Sequence, residues 1–203
     1  MATRRTAPAI VCRPVTPSRW KDLERLFGPL GACAGCWCMW PRLPRAEFAR
    51  GRGAGNRGAL KRLVSSGARP GIIAYRGREP VGWCALAPRE QFGRLERSRV
   101  MARVDDRPVW SVPCFFVSRE ARGLDVTRSL LEAAVEHAAK RGARLVEGYP
   151  HDTGGRRLAD AFVWFGLAPT FERVGFREVA RRSQTRPIMR RAISNARRTR
   201  SRG

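Results

Sequence analysis

An almost unbroken apolar run, Val-Trp-Ser-Val-Pro-Cys-Phe-Phe-Val at 109–117, leads through a turn at 118–125 into the most regular helical pattern of the chain. The run is too short for a buried helix and is rich in β-branched and aromatic residues, so it reads as a strand covered on both faces. From 126 onward Val126, Leu130, Leu131, Ala134, Val135 and Ala138 share one helical face. Arg128, Glu132, Glu136 and Lys140 form an i,i+4 ladder on the other, and Gly142 ends the helix. A central strand feeding an amphipathic helix belongs to a layered α/β protein. Pro113 cannot donate to a sheet ladder and predicts a bulge or a splayed neighbour inside that strand.

The rest of the chain continues the alternation. A short strand at 10–15 opens it. Thr16 is placed to cap a helix with Pro17 at its first position and Trp20, Leu23, Leu26 and Phe27 on its face. The segment 31–44, rich in Gly, Pro, Cys and Trp, reads as loop. Asn56 is read as the cap of a second helix carrying Leu60, Leu63 and Val64. Strands are expected at 71–75 and 80–87, joined by a hairpin turn, and a polar excursion fills 89–107. After the helix from 126 come a strand at 144–149, a short helix at 169–174, and closing strands at 176–182 and 184–190. The order β-α-α-β-β-β-α-β-α-β-β implies a mixed sheet with helices on both faces.

The 203 residues suit one domain, expected at 10–191, with a flexible N-terminus at 1–9 and a basic, disordered tail at 192–203. No apolar run approaches the roughly 20 residues of a membrane helix, and the first residues lack a hydrophobic signal core, so a cytoplasmic protein is expected. The 6 cysteines are then expected as free thiols. The formal net charge of +24 invites a nucleic-acid partner, since arginines neutralise phosphates. The basic residues are spread along the chain rather than interleaved with stacking aromatics, which argues instead for solvated surface arginine.

The strand–turn–helix unit is a ready anion site, because the first turn of a helix presents unpaired N–H groups and the positive end of the dipole. Cys114-Phe115-Phe116-Val117, then Arg122-Gly123-Leu124-Asp125-Val126-Thr127, then Leu130-Leu131, resembles the acetyl-coenzyme A motif of the GNAT superfamily of N-acetyltransferases. Thr170-Phe171-Glu172-Arg173-Val174-Gly175-Phe176 resembles the ending of the same family. The segments Cys36-Trp37-Cys38-Met39-Trp40, Pro80-Val81-Gly82-Trp83 and Val146-Glu147-Gly148-Tyr149-Pro150 look like one branch of it.

The resemblance implies a GNAT-type α/β fold, with a mixed, mostly antiparallel central sheet, and acetyl-CoA as co-substrate. The acceptor would be a small-molecule or protein amine, and a homodimer is compatible with it. Cofactor contacts are expected from Phe116, Val117, Arg122, Gly123, Leu124, Asp125, Val126, Thr127 and Arg128. Asp125 and Thr127 stand where the family prefers Gly and Gly or Ala; either the carboxylate turns away from a pyrophosphate, to cap the helix or pair with Arg122 or Arg128, or cofactor binding is weakened. The usual base and acid positions hold Ser111 and Phe171, unfit for either task. Glu147 and Tyr149, two apart on a strand and so on one face, are the candidate substitutes. Trp37, Trp40 and Trp83 are candidates for an acceptor wall suited to a flat or cationic amine, or for core. Cys33-x-x-Cys36-x-Cys38 lacks an evident fourth ligand, so no metal is expected. The alternative is a catalytically degenerate protein of this fold that binds acyl-CoA or nucleic acid.

Overall fold

The computed structural model describes residues 9–156 and 160–193. Seven strands form one sheet in the order β1-β2-β3-β4-β5-β7-β6. They are β1 (Ile10–Pro14), β2 (Gly71–Arg76), β3 (Glu79–Pro88), β4 (Trp110–Val117), β5 (Leu145–Gly148), β6 (Arg177–Arg181) and β7 (Pro187–Ala192). Among these seven strands only the β4–β5 pairing is parallel. The helices are α1 (Trp20–Phe27), α2 (Arg45–Arg50), α3 (Ala54–Ser65), α4 (Gly93–Glu96), α5 (Val126–Lys140) and α6 (Ala168–Arg173).

The period of two along the strands sorts the core into two layers. Ile73, Trp83, Ala85 and Ala87 face a layer with α1, α2 and α3, built on Trp20, Leu23, Phe27, Phe48 and Leu60. Ile72, Ala74, Cys84 and Leu86 face the other way, onto Val126, Leu130, Leu131 and Ala134 of α5 and Phe171 of α6. Each face of the sheet is therefore covered by helices, as the alternation of elements requires.

Several local expectations need correction. Thr16 precedes a single 3-10 turn at Pro17–Arg19 rather than the α-helix itself, and its hydroxyl meets Ser18 rather than a backbone N–H. Asn56 does not cap α3 but lies inside it, fully buried, where its Nδ2 donates to the carbonyls of Gly35 (3.1 Å) and Phe48 (3.3 Å). It ties the 31–38 loop to the α2–α3 junction, a tertiary role that local pattern cannot show. Within the segment read as loop, six residues, Gly31, Ala32, Ala34, Gly35, Trp37 and Cys38, have positive φ. The short α2, and a 3-10 turn at Asp160–Phe165, span 6 residues each, too few to show a period. Ala192 belongs to β7. The expected flexible ends at 1–9 and 192–203 lie, but for Ala9, Ala192 and Ile193, outside the described residues.

Pro113 marks two irregularities together. Opposite it the β3–β4 register shifts, with Ala85 facing Cys114 but Ala87 facing Ser111. On its other side β4 pairs with β5 only over Trp110, Val112 and the residue between them, after which β4 runs on to Val117 alone. The strands part at the proline, opening a wedge in the middle of the sheet.

Candidate functional site

The wedge is the mouth of a cleft of about 990 Å³, the upper end of the range usual for small-molecule sites. One wall is the parted half of β4, from Cys114 to Val117, and the turn that follows it. Ala121, Arg122, Gly123, Asp125, Val126 and Thr127 line this end. Of the residues expected there from sequence, Phe116, Val117, Arg122, Gly123, Asp125, Val126 and Thr127 line the cleft. Leu124 points to solvent, with 42% exposure, and Arg128 turns along the helix to Glu132 (2.9 Å).

The backbone explains the turn. Gly123 has φ +80°, with open space where a Cβ would stand. Asp125, the residue before α5, sits at φ 56°, ψ 24°, in the left-handed region. A glycine there would be free of strain; Asp is among the few other residues that tolerate it. Its carboxylate makes no cap hydrogen bond but lies 3.8 Å from Arg128 and 3.6 Å from Arg173. The first-turn amides of α5, on residues that line the cleft, thus have no intrahelical acceptor.

The opposite wall comes from the strained 31–38 loop and its neighbours. Cys33, Cys36, Cys38 and Trp40 face the cleft, with Phe48, Arg52, Arg156, Trp164 and Thr170. Trp40 is the one tryptophan of the three expected that does so. Trp37 stacks on Trp20 at 6.1 Å, and Trp83 is fully buried with Phe27 edge-on at 5.8 Å. Trp40 itself packs edge-on against Trp164 (4.8 Å), and its ring carries the Arg94 guanidinium at 4.9 Å. A cation already occupies that aromatic surface.

Glu147 and Tyr149 lie together but apart from the cleft lining. Both are fully buried. Glu147 Oε1 accepts from Arg89 Nη1 (2.8 Å) and from the Tyr149 hydroxyl (2.6 Å), and Oε2 accepts from Arg190 Nε (2.7 Å). Arg89 Nη2 also donates to the carbonyls of Leu95 (3.1 Å) and Met101 (2.7 Å), and Arg190 reaches Asp105 (2.7 Å). Ser111 Oγ lies 2.9 Å from the Tyr149 hydroxyl. Burial, and next the Glu147 charge, push the Tyr149 phenol well above its usual range. Every oxygen of the pair is engaged, and two guanidiniums share the carboxylate. The arrangement pins the 89–107 excursion to β5 and β7. Arg89 carried no sequence signal, being one arginine in a polar stretch.

Phe171 is fully buried against Phe115 and Phe176; a Cβ on Gly148 would stand 2.2 Å from its ring. The neighbouring Thr170 is the residue of α6 that reaches the cleft. Thr170, Arg52, Arg156 and Trp164 were not anticipated, since nothing in local pattern separates a cleft-facing arginine from a solvated one. Among the described residues, no group of three or more His, Cys, Asp or Glu is placed to hold a metal ion. No helix among them is long and apolar enough to cross a membrane.

This sheet, with its parted strands and the turn at the head of α5, defines an acyltransferase-like α/β fold. The sequence profile described as Acetyltransferase (GNAT) family matches residues 37–160, and the chain belongs to that family. No curated protein is similar enough in sequence to match. Among solved structures, a GNAT-family acetyltransferase from Listeria monocytogenes superposes with a TM-score of 0.56 at 8% identity, over 93% of this chain and 98% of that one. One from Streptococcus agalactiae gives 0.54 at 11%, over 93% and 98%. The PaiA N-acetyltransferase of Thermoplasma acidophilum, solved in complex with coenzyme A, gives 0.51 at 12%, over 91% and 99%. At these identities the likeness is one of fold.

Proposed function

We propose that the protein transfers the acetyl group of acetyl-CoA to the amine of an acceptor. The observation that carries this is the continuity of the cleft. It runs from the unpaired amides at the head of α5, along the parted edge of β4, to an aromatic wall on the far side. A pyrophosphate fits the amides and the dipole of α5. The free edge of β4 offers strand-spaced backbone groups to the amides of a pantetheine arm. Family membership and the coenzyme A held by the Thermoplasma acidophilum enzyme support the same reading. The bound thioester supplies an activated acyl carbon. The chain's part is to hold it against the acceptor, exclude water, and polarise its carbonyl with backbone N–H groups near Phe116 and Val117.

The far wall favours a particular kind of acceptor. Arg52 and Arg156 border it, and the lone acidic residue among the described lining, Asp125, lies at the opposite end beside Arg128 and Arg173. Trp40, beside the Arg94 guanidinium, and Trp164, stacked on Phe165, give this wall its aromatic character. The acceptor is therefore an amine whose body is flat or apolar and whose other charge, if any, is negative. The test is calorimetric titration with acetyl-CoA, then thiol release over a panel of amines. Saturable binding is expected, with kcat/KM for aromatic amines bearing a carboxylate at least about tenfold above that for polyamines, a difference of about 1.4 kcal/mol. No binding at millimolar acetyl-CoA sinks the proposal. Binding without turnover on any amine leaves a thioester-binding protein, the degenerate alternative.

A further inference from the structure

The acceptor wall of the cleft holds cations of its own. We propose that Arg94 and Arg52 form an oxyanion-binding subsite there, which recognises an acceptor carrying a doubly charged group of the phosphate monoester class at the end remote from its amine. The inference rests on the acetyl-transfer reading just given and adds to it the residues that read the acceptor's charge.

Phe48 is the centre of the subsite. It lines the cleft beside Trp40, and its ring carries two guanidiniums, Arg52 at 5.8 Å and Arg94 at 5.5 Å from the centroid. Arg94 also lies 4.9 Å from the Trp40 centroid. Aromatic faces offset part of the repulsion between two guanidiniums on one wall and leave N–H edges for another partner. Arg94 is fixed at two points: its backbone N–H donates to the Pro41 carbonyl (3.1 Å) and its Nε to that of Leu43 (3.3 Å). Among the described residues nothing accepts from its Nη1 or Nη2, nor from the side chain of Arg52.

Charge at this wall is uncompensated. Partial burial, then the charges of Arg45 and Arg97, hold the Arg94 guanidinium below its ordinary range. The carboxylates of α4 and the turn before it are engaged elsewhere. Glu96 pairs with Arg89 (2.9 Å) and Arg103 (2.9 Å), and Glu90 lies 3.5 Å from Arg103. Glu47 of α2 makes no ion pair with Arg45, Arg52, Arg94 or Arg97 among the described residues. The opposite end of the cleft differs, for there Arg128 and Arg173 share Asp125. One acidic side chain neutralises the guanidiniums at that end. At this end the missing negative charge comes from the ligand.

The chemistry narrows what that ligand is. Guanidinium forks match oxyanions, with two parallel N–H donors for two oxygens. Coulombic attraction scales with charge, so the same arginines attract a dianion about twice as strongly as a monoanion. A cationic acceptor meets the reverse field, and the aromatic faces that would hold its cation already hold arginine.

The probe is phenyl phosphate, which has an aromatic body and a dianion but no amine. It is titrated by calorimetry into the intact protein saturated with coenzyme A, so that the amides at the head of α5 are already occupied. Arg94→Gln and Arg52→Gln should each weaken its binding about tenfold or more, the scale of a lost charge-assisted hydrogen bond. Arg177→Gln removes the same charge from an exposed position of β6 and should change binding by less than about twofold. Arg52 is exposed, so its variant decides the matter where Arg94→Gln does not fold. Benzoate should bind about tenfold more weakly than phenyl phosphate. Phenyl phosphate should inhibit competitively against whichever amine turns over, and not against acetyl-CoA. Losses in the cleft variants no greater than in Arg177→Gln overturn the subsite, as does inhibition competitive with acetyl-CoA; both leave acetyl transfer standing. Benzoate bound as tightly as phenyl phosphate overturns the dianionic class. Arginine-dependent binding by a protein that acetylates no amine removes the acetyl-transfer reading and leaves an anion site. Failure to bind coenzyme A overturns both.

Discussion

At the residue scale the most informative side chain is Glu147. Its position two residues from Tyr149 on a strand is the pattern of a catalytic pair, and it is equally the pattern of a buried hydrogen-bonded pair. Which holds depends on Arg89 and Arg190, which lie far away in sequence. With both guanidiniums buried, breaking the network leaves uncompensated charge in the interior. Glu147→Gln keeps the shape and removes the charge, so it should cost about 3–5 kcal/mol of stability, as for breaking a buried ion pair. That loss is read as a lower urea midpoint at unchanged slope. Acetyl transfer per folded molecule should stay within about twofold of wild type, well short of the hundredfold loss of a general base. A variant of native stability with that hundredfold loss would make Glu147 the base after all.

At the element scale the decisive piece is the junction of β4 and α5. Sequence made this legible because two periodicities meet there: a run buried on both faces, then a 3.6-residue stripe. The same logic located β2, β3, β5 and α6 to within a residue or two, and Pro113 announced the parted strands. The remainder was hidden for a definite reason. The 31–38 loop is shaped by long-range ties, such as Asn56 to Gly35 and Trp83 to Cys38, and such ties leave no local period. For the same reason the far wall of the cleft could not be drawn, and two of three candidate tryptophans proved to be core. The junction also yields a prediction. Asp125→Gly removes both a left-handed non-glycine residue and a carboxylate from the anion end of the cleft, and it releases Arg128 and Arg173. Coenzyme A affinity should rise about three- to tenfold by calorimetry, up to about 1.4 kcal/mol, with the gain fading as salt is added. Unchanged affinity would mean that the backbone amides alone set the strength of that end.

At the scale of the whole molecule, charge and fold do separate things. The +24 charge lies on a sheet whose core is built by ordinary apolar alternation, so the charge is not what folds it. It governs what the surface attracts. The protein should be retained on heparin and bind duplexes of any sequence with similar affinity. Log affinity should fall linearly with log salt, with slope set by the number of phosphates neutralised. Discrimination between sequences of more than about tenfold at physiological salt would instead indicate a true nucleic-acid partner.

The parting of β4 from β5 has one more consequence. Between Pro113 and Val117, β4 is central by position yet an edge on one side, and an unpaired edge is a standing invitation to a strand from another chain. Proteins usually deter such intruders with charge, but this edge is lined by Cys114, Phe115 and Phe116. Its protection is depth. The 31–40 segment on one side and Val163, Trp164 and Leu167 on the other recess it below the surface. A strand from a second polypeptide would have to bring side chains on both its faces into that recess, while a slender molecule with amides along its length would not. The recess that sets the edge apart from neighbouring chains is thus the same one that leaves its backbone open to a thread.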